Sequence, residues 1–160
     1  MNRLKHLQET LEKNILDNFL VDEVEFVVLD YNSQDGLEEW IAQSMMKYIE
    51  MGILVYYRTT EPAYYRRSHS RNMVFRLAEG EVVCNLDADN YLGRGFAEFM
   101  LKEFNNKERL FYTSNLCYRD VFGRVCLERK EFVEARGYNE VFVGYGLEEI
   151  DKKWKLFLVN

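Results

Sequence analysis

"VVCNLDADN" (82–90) decides how this chain is read. Val82, Val83 and Leu86 are apolar and partly β-branched, so the stretch begins as a buried strand. It then runs into Asp87 and Asp89, with one alanine between them. In extended backbone, residues i and i+2 point the same way, so the two carboxylates are expected to converge on one point. Like charges that close are unfavourable unless one takes a proton or a cation lies between them. Hard oxygen ligands favour Mg²⁺ or Mn²⁺, and such a cation can bridge to a diphosphate and stabilise it as a leaving group. An acidic surface turn is the plainer reading of the same residues.

Working outward, the pattern alternates between helix and strand. Leu4, Leu7, Leu11 and Ile15 recur at helical spacing. "VEFVVLD" (24–30) reads as a buried strand, followed by the loop chemistry of "YNSQDG". Asp35 and Glu38 have the spacing of a capping box opening a second helix, with Leu37, Trp40, Ile41 and Met45 on its apolar side. "ILVYYR" (53–58) predicts a strand, and "SRNMVFRLAEG" (70–80) predicts a helix stopped by Gly80. After the 82–86 strand, Phe96, Met100 and Phe104 mark a further helix. "LFYTS" (110–114), the extended pieces around Gly123 and a short helix over 129–137 follow. This alternation argues for an α/β sheet of largely parallel strands in one domain, residues 1–160. Ligands of such sheets sit beyond the carboxyl ends of the strands, where Asp87 and Asp89 fall.

Composition narrows the classes. The 160 residues are 48% hydrophobic and 30% charged, which excludes a disordered chain. No apolar run is long enough to span a membrane, and "MNRLKHLQETLEKN" lacks the apolar centre of a signal peptide. A net charge of −6 argues against a general nucleic-acid binder. Cys84, Cys117 and Cys126 are odd in number and not in C-x-x-C spacing, which fits a reducing cytoplasm better than a disulfide framework. His6 and His69 are the only histidines, so a multi-histidine metal centre is excluded.

"SHSRNMVFRLAEGEVVCNLDADN" (68–90) resembles a family pattern: Arg-Asn opening a helix, Ala and Gly closing it, a β-branched strand, then D-A-D. It is similar to the family 2 glycosyltransferases of the GT-A fold. "FVVLDYNSQDG" resembles that family's nucleoside-side strand and the acidic loop after it. "NRLKHL" (2–7) resembles a segment of the β-1,4-galactosyltransferase branch, and "RGYNEVFVGYGLEEID" (136–151) resembles the segment carrying the catalytic base of inverting members. The resemblance implies a three-layer GT-A sandwich with a mostly parallel central sheet. The family's first strand and C-terminal tail have no counterpart here, since Met1 directly precedes Asn2 and the chain stops at Asn160. An exposed sheet edge available to another chain is a further expectation.

The resemblance also implies roles. Asp89 is the direct ligand of a Mn²⁺ or Mg²⁺ ion, and Asp87 touches the donor's ribose or the metal. Arg3, Asp30 and Arg71 face the donor, a nucleotide-sugar with UDP first. Arg71 lies near a helix start, where backbone N–H groups and a guanidinium suit a diphosphate. Arg66 and Arg67 read as solvated surface, and His69 as a capping or surface residue. Tyr145 offers an aromatic face to the sugars, Glu148 and Asp151 face the acceptor, and Glu149 stands where the family has a catalytic Asp. Glu148 is the alternative base. Glu148, Glu149 and Asp151 also suit an acidic first helical turn. The activity implied is inverting transfer of a sugar from a nucleotide diphosphate to an acceptor hydroxyl, in the cytoplasm, free or at the inner face of the membrane. Two alternatives stand beside it: a non-catalytic nucleotide-sugar- or partner-binding remnant of the fold, and an unrelated metal phosphatase using "DADN".

Overall fold

The computed structural model describes residues 1–19, 23–107, 110–113 and 124–141. They group into two compact units, Met1–Ala63 with Leu86–Glu108, and Tyr64–Asn85 with Arg109–Asn160.

The first unit opens with α1 (Leu4–Asn18), followed by β1 (Phe26–Tyr31). A continuous helical stretch then runs through α2 (Leu37–Trp40), a π-helical turn (Ile41–Met45) and α3 (Met46–Glu50). β2 (Leu54–Thr59) lies parallel to β1, with Phe26 opposite Leu54 and Tyr31 opposite Thr59. A parallel pair needs a crossover of a dozen or more residues, which the α2–α3 stretch supplies. Leu11, Ile15, Leu37, Ile41, Met45, Tyr48, Ile53 and Leu54 form the core. Full burial contributes about 1.5–3 kcal/mol for each large aliphatic side chain. Leu37, Ile41 and Met45 recur every fourth residue, a spacing that drifts by about 40° per step around a regular α-helix. The wider π turn removes that drift, so all three stay in the core.

The capping box expected at Asp35 and Glu38 does not form. Gly36, at φ +86°, precedes α2 and has no side-chain cap. Asp35 Oδ2 instead accepts the Leu4 N–H, 2.8 Å away, and so caps α1. Glu38 turns to the Arg58 guanidinium. Loop 32–35 is tied further to the start of α1: Asn2 N–H donates to Ser33 Oγ (3.0 Å), and Gln34 N–H donates to Asn2 Oδ1 (2.8 Å).

The second unit contains α4 (Arg67–Leu77), β3 (Val82–Cys84), β4 (Phe111–Thr113), β5 (Val125–Glu128) and α6 (Arg129–Glu134). α5 (Phe96–Asn106) belongs to the first unit. The sheet of the second unit has the order β3-β5-β4 and is antiparallel. The parallel arrangement expected from the helix–strand rhythm thus holds for β1 and β2. β3 takes its partner from β5, a long-range choice that local rhythm does not encode. α4 starts and ends three residues earlier than expected. Ala78 at ψ 141° leaves the helix before Gly80 is reached.

Phe75, Val83, Val125, Leu127, Phe132 and Tyr138 form the second unit's core. The Phe75 and Phe132 rings meet edge to face at 4.7 Å, a geometry that the ring quadrupoles favour.

Candidate functional site

β3 ends at Cys84, before the two acids. Asp87 and Asp89 lie on a turn in which the Asn90 N–H donates to the Asp87 carbonyl, 3.0 Å away. The argument that they converge because the backbone is extended therefore fails. Asp and Asn bond to nearby backbone and favour turns, and here that tendency prevails over the strand. Asp87 is half-buried and Asp89 exposed.

What fixes this turn is a polar stripe on α1. Thr10, Asn14 and Asn18 recur every fourth residue, and each is only 3% exposed. Thr10 Oγ1 donates to the Ala88 carbonyl between the two acids (2.7 Å). Asn14 Nδ2 donates to the Asn90 carbonyl (2.9 Å), and its Oδ1 accepts the Leu92 N–H (2.9 Å). Asn18 Nδ2 reaches the Gly93 carbonyl (2.9 Å), and its Oδ1 accepts the Ala97 N–H in the first turn of α5 (3.0 Å). Asn18 thus caps α5 from another helix, since Gly95 offers no side chain to do so. The chain from 88 to 97 is held rung by rung. The only sequence signal was a buried-type spacing of polar residues beside the leucine stripe, and sequence reasoning left it unused.

The same helix carries loop 32–35 on its first turn, through Leu4 and Asp35. Leu4 and Thr10 are six residues apart, so the two anchor points are about 9 Å apart along the axis. One rigid element therefore sets the spacing between the loop after β1 and the acidic turn. Replacing Asn14 with alanine strands the Asn90 carbonyl and the Leu92 N–H. The expected loss is about 2 kcal/mol, read as a lower midpoint in urea unfolding with an unchanged slope.

Asp30 is 1% exposed at the end of β1. Tyr56 donates to its Oδ2 (2.8 Å), the Arg58 Nε lies 3.5 Å from the same oxygen, and the Ser33 N–H donates to Oδ1 (2.8 Å). Burial, and then the hydrogen bond to Asp30, push the Tyr56 phenol well above its usual range, so it remains a donor. Asp30 shapes the loop after β1 from beneath. Arg3 precedes α1 and is exposed, its Nη1 3.4 Å from His6 Nδ1.

The sequence places Arg71 beside the first N–H groups of its helix. Because α4 begins at Arg67, Arg71 falls instead in the second turn. It is 4% exposed and lies over the Tyr138 ring, 5.7 Å from the centroid. Its neighbour Asn72, which sequence reasoning passed over, grips the chain after α6. Asn72 Nδ2 donates to the Tyr138 carbonyl (2.9 Å) and to Glu140 Oε1 (2.8 Å), while Oδ1 accepts the Tyr138 N–H (2.8 Å). The segment thus held leads toward Tyr145, Glu148, Glu149 and Asp151, all four of which lie outside the described residues.

Two carboxylates on one turn supply hard oxygen donors. That fits a Mg²⁺ or Mn²⁺ ion shared with substrate phosphates, which such ions commonly bind through one or two carboxylates. Among the described residues, no group of three or more His, Cys, Asp or Glu side chains is placed to hold a metal by protein alone. Among the same residues, no helix is long and apolar enough to cross a membrane.

Two of the solved structures similar to this chain show the shared fold. One is the mannosyltransferase PcManGT from Pyrobaculum calidifontis in complex with GDP-Man and Mn²⁺, 20% identical, with a TM-score of 0.67 over 86% of this chain and 44% of that one. The other is TarS of S. aureus (1–349), 18% identical, with a TM-score of 0.77 over 98% of this chain and 52% of that one. The chain therefore spans about half the length of these structures. No curated protein matches it in sequence. The architecture is the α/β fold of the GT-A glycosyltransferases. The family model described as Glycosyl transferase family 2 matches residues 1–144, and the chain belongs to that family.

Proposed function

We propose that this protein transfers a sugar from a nucleotide diphosphate, UDP first, to an acceptor hydroxyl with inversion at the anomeric carbon. The observation that carries the proposal is the acidic turn: Asp87 and Asp89 flank Ala88, whose carbonyl α1 holds through Thr10. Family membership supports the reading. So does the GDP-Man and Mn²⁺ bound by one structural neighbour, which extends the candidate donors to GDP-sugars.

In this mechanism Asp89 and Asp87 would hold a divalent cation, which would supply positive charge beside the departing diphosphate. Arg3, an exposed cation, is assigned to the donor, and Asp30 keeps the loop after β1 in shape. Arg71, also assigned to the donor, is the guanidinium proposed to meet the diphosphate. Glu149 takes the proton of the attacking hydroxyl as general base. Glu148 and Asp151 hydrogen-bond the acceptor, and Tyr145 gives the sugars an aromatic face. The working compartment proposed is the cytoplasm.

The test is release of nucleoside diphosphate from a panel of UDP- and GDP-sugars with Mn²⁺ and simple saccharide acceptors. Release that requires both acceptor and cation supports the proposal. No release with any donor, together with clear cation-dependent nucleotide binding, would instead favour the non-catalytic remnant.

A further inference from the structure

β3 and β5 place two cysteines face to face. Their register sets Val82 opposite Glu128, Val83 opposite Leu127 and Cys84 opposite Cys126. The Asn85 N–H donates to the Val125 carbonyl (2.8 Å), and the Arg129 N–H donates to the Glu81 carbonyl (2.7 Å). These two contacts mark 85/125 and 81/129 as hydrogen-bonded pairs. In an antiparallel ladder such pairs alternate with non-hydrogen-bonded ones. Cys84 and Cys126 therefore form a non-hydrogen-bonded pair, the closer kind, with Cα atoms about 4.5 Å apart. That separation lies within the range of about 4.4–6.8 Å found across disulfides. Both thiols are free, Cys126 buried and Cys84 half-buried.

We propose that Cys84 and Cys126 are a disulfide-forming pair, closed by exchange with a low-molecular-weight disulfide and reopened by a dithiol. The Cys84 thiolate, the more accessible, attacks one sulfur of the small disulfide. That S–S bond breaks, one small thiolate leaves, and a mixed disulfide remains on Cys84. Cys126 loses its proton and attacks the Cys84 sulfur, expelling the second small thiolate. The two protein thiols give up two protons and two electrons, and the small disulfide is reduced to two thiols. Closure needs no change of strand register. Its hydrogen bond to Cys126, and then burial, push the Cys84 thiol up, so exchange at neutral pH is slow. The bond would tie β3 to β5 three residues before Asp87. The proposal does not depend on the transferase reading.

The test treats the folded full chain with oxidised glutathione and follows intact mass and peptide maps, in wild type and in Cys117→Ser. The expected result is a loss of about 2 Da, a cross-linked peptide joining Cys84 to Cys126 in both proteins, and restoration by dithiothreitol. Cys126→Ser should stop at the glutathione adduct on Cys84. Unchanged mass, a cross-link through Cys117, an adduct alone in wild type, or closure only in urea would each overturn the proposal.

Discussion

Gly137→Ala is expected to lower stability by about 2–5 kcal/mol, summing left-handed strain of about 1–2 kcal/mol and overpacking of about 1–3 kcal/mol. Gly137 sits at φ +67°, in the left-handed region. A Cβ there would lie 2.5 Å from Asn72 Oδ1 and 3.0 Å from Phe132 Cζ. Neither neighbour can give way easily. Asn72 Oδ1 is held by the Tyr138 N–H, and Phe132 is 1% exposed in the core. At about 2–4 °C per kcal/mol for a chain of this length, the melting temperature should fall by roughly 10 °C. Gly52 supplies the control: at φ +72°, a Cβ added to it would have nothing within 4 Å. Gly52→Ala should therefore show the left-handed strain alone, about 1–2 kcal/mol. Equal melting temperatures for the two variants would contradict the clamp between Asn72 and the chain after α6.

Glu149→Gln is expected to reduce sugar transfer by about 10²- to 10⁴-fold, the usual contribution of a general base. Glutamine keeps the shape of the side chain but carries an amide in place of one acceptor oxygen and cannot take the proton. Donor binding, which is proposed to involve Asp87 and Asp89, should be unchanged. Glu148 is the neighbour in sequence, and in the proposed roles it holds the acceptor hydroxyl whose proton Glu149 takes. Glu148→Gln should therefore impair acceptor use more than donor binding, raising the acceptor KM. In steady-state kinetics, a Glu149→Gln protein retaining the full rate would move the base to Glu148 or Asp151.

The elements themselves were largely legible because their apolar residues repeat at the right period. The Leu4, Leu7, Leu11 and Ile15 stripe and the "VEFVVLD" run both became what their spacing predicts. What sequence hid was long-range. Asp35 looked like the cap of the helix beside it, but its partner is the N–H of Leu4, reached only once α1 folds against the loop. Thr10, Asn14 and Asn18 lie on the helix that the leucine stripe predicts, and their carbonyl partners lie more than seventy residues along the chain. The antiparallel partner of β3 was hidden in the same way. The expected convergence of the two acids fails as geometry, because the turn propensity of Asp-Ala-Asp-Asn prevails over the strand before it.

The most direct measurement is calorimetric titration of UDP and GDP into wild type and Asp89→Ala, each with and without Mn²⁺. Asp89 is exposed and makes no rung of the α1 stripe, so its removal should leave the fold intact. Wild type should bind one of the nucleotides more tightly with Mn²⁺ than without. A parallel melt at about 100 times the dissociation constant should show about 2.7 kcal/mol of stabilisation. Asp89→Ala should bind with an affinity that no longer responds to the cation. Identical affinities for the two proteins, with and without Mn²⁺, would contradict the assignment of the acidic turn as the donor's cation site.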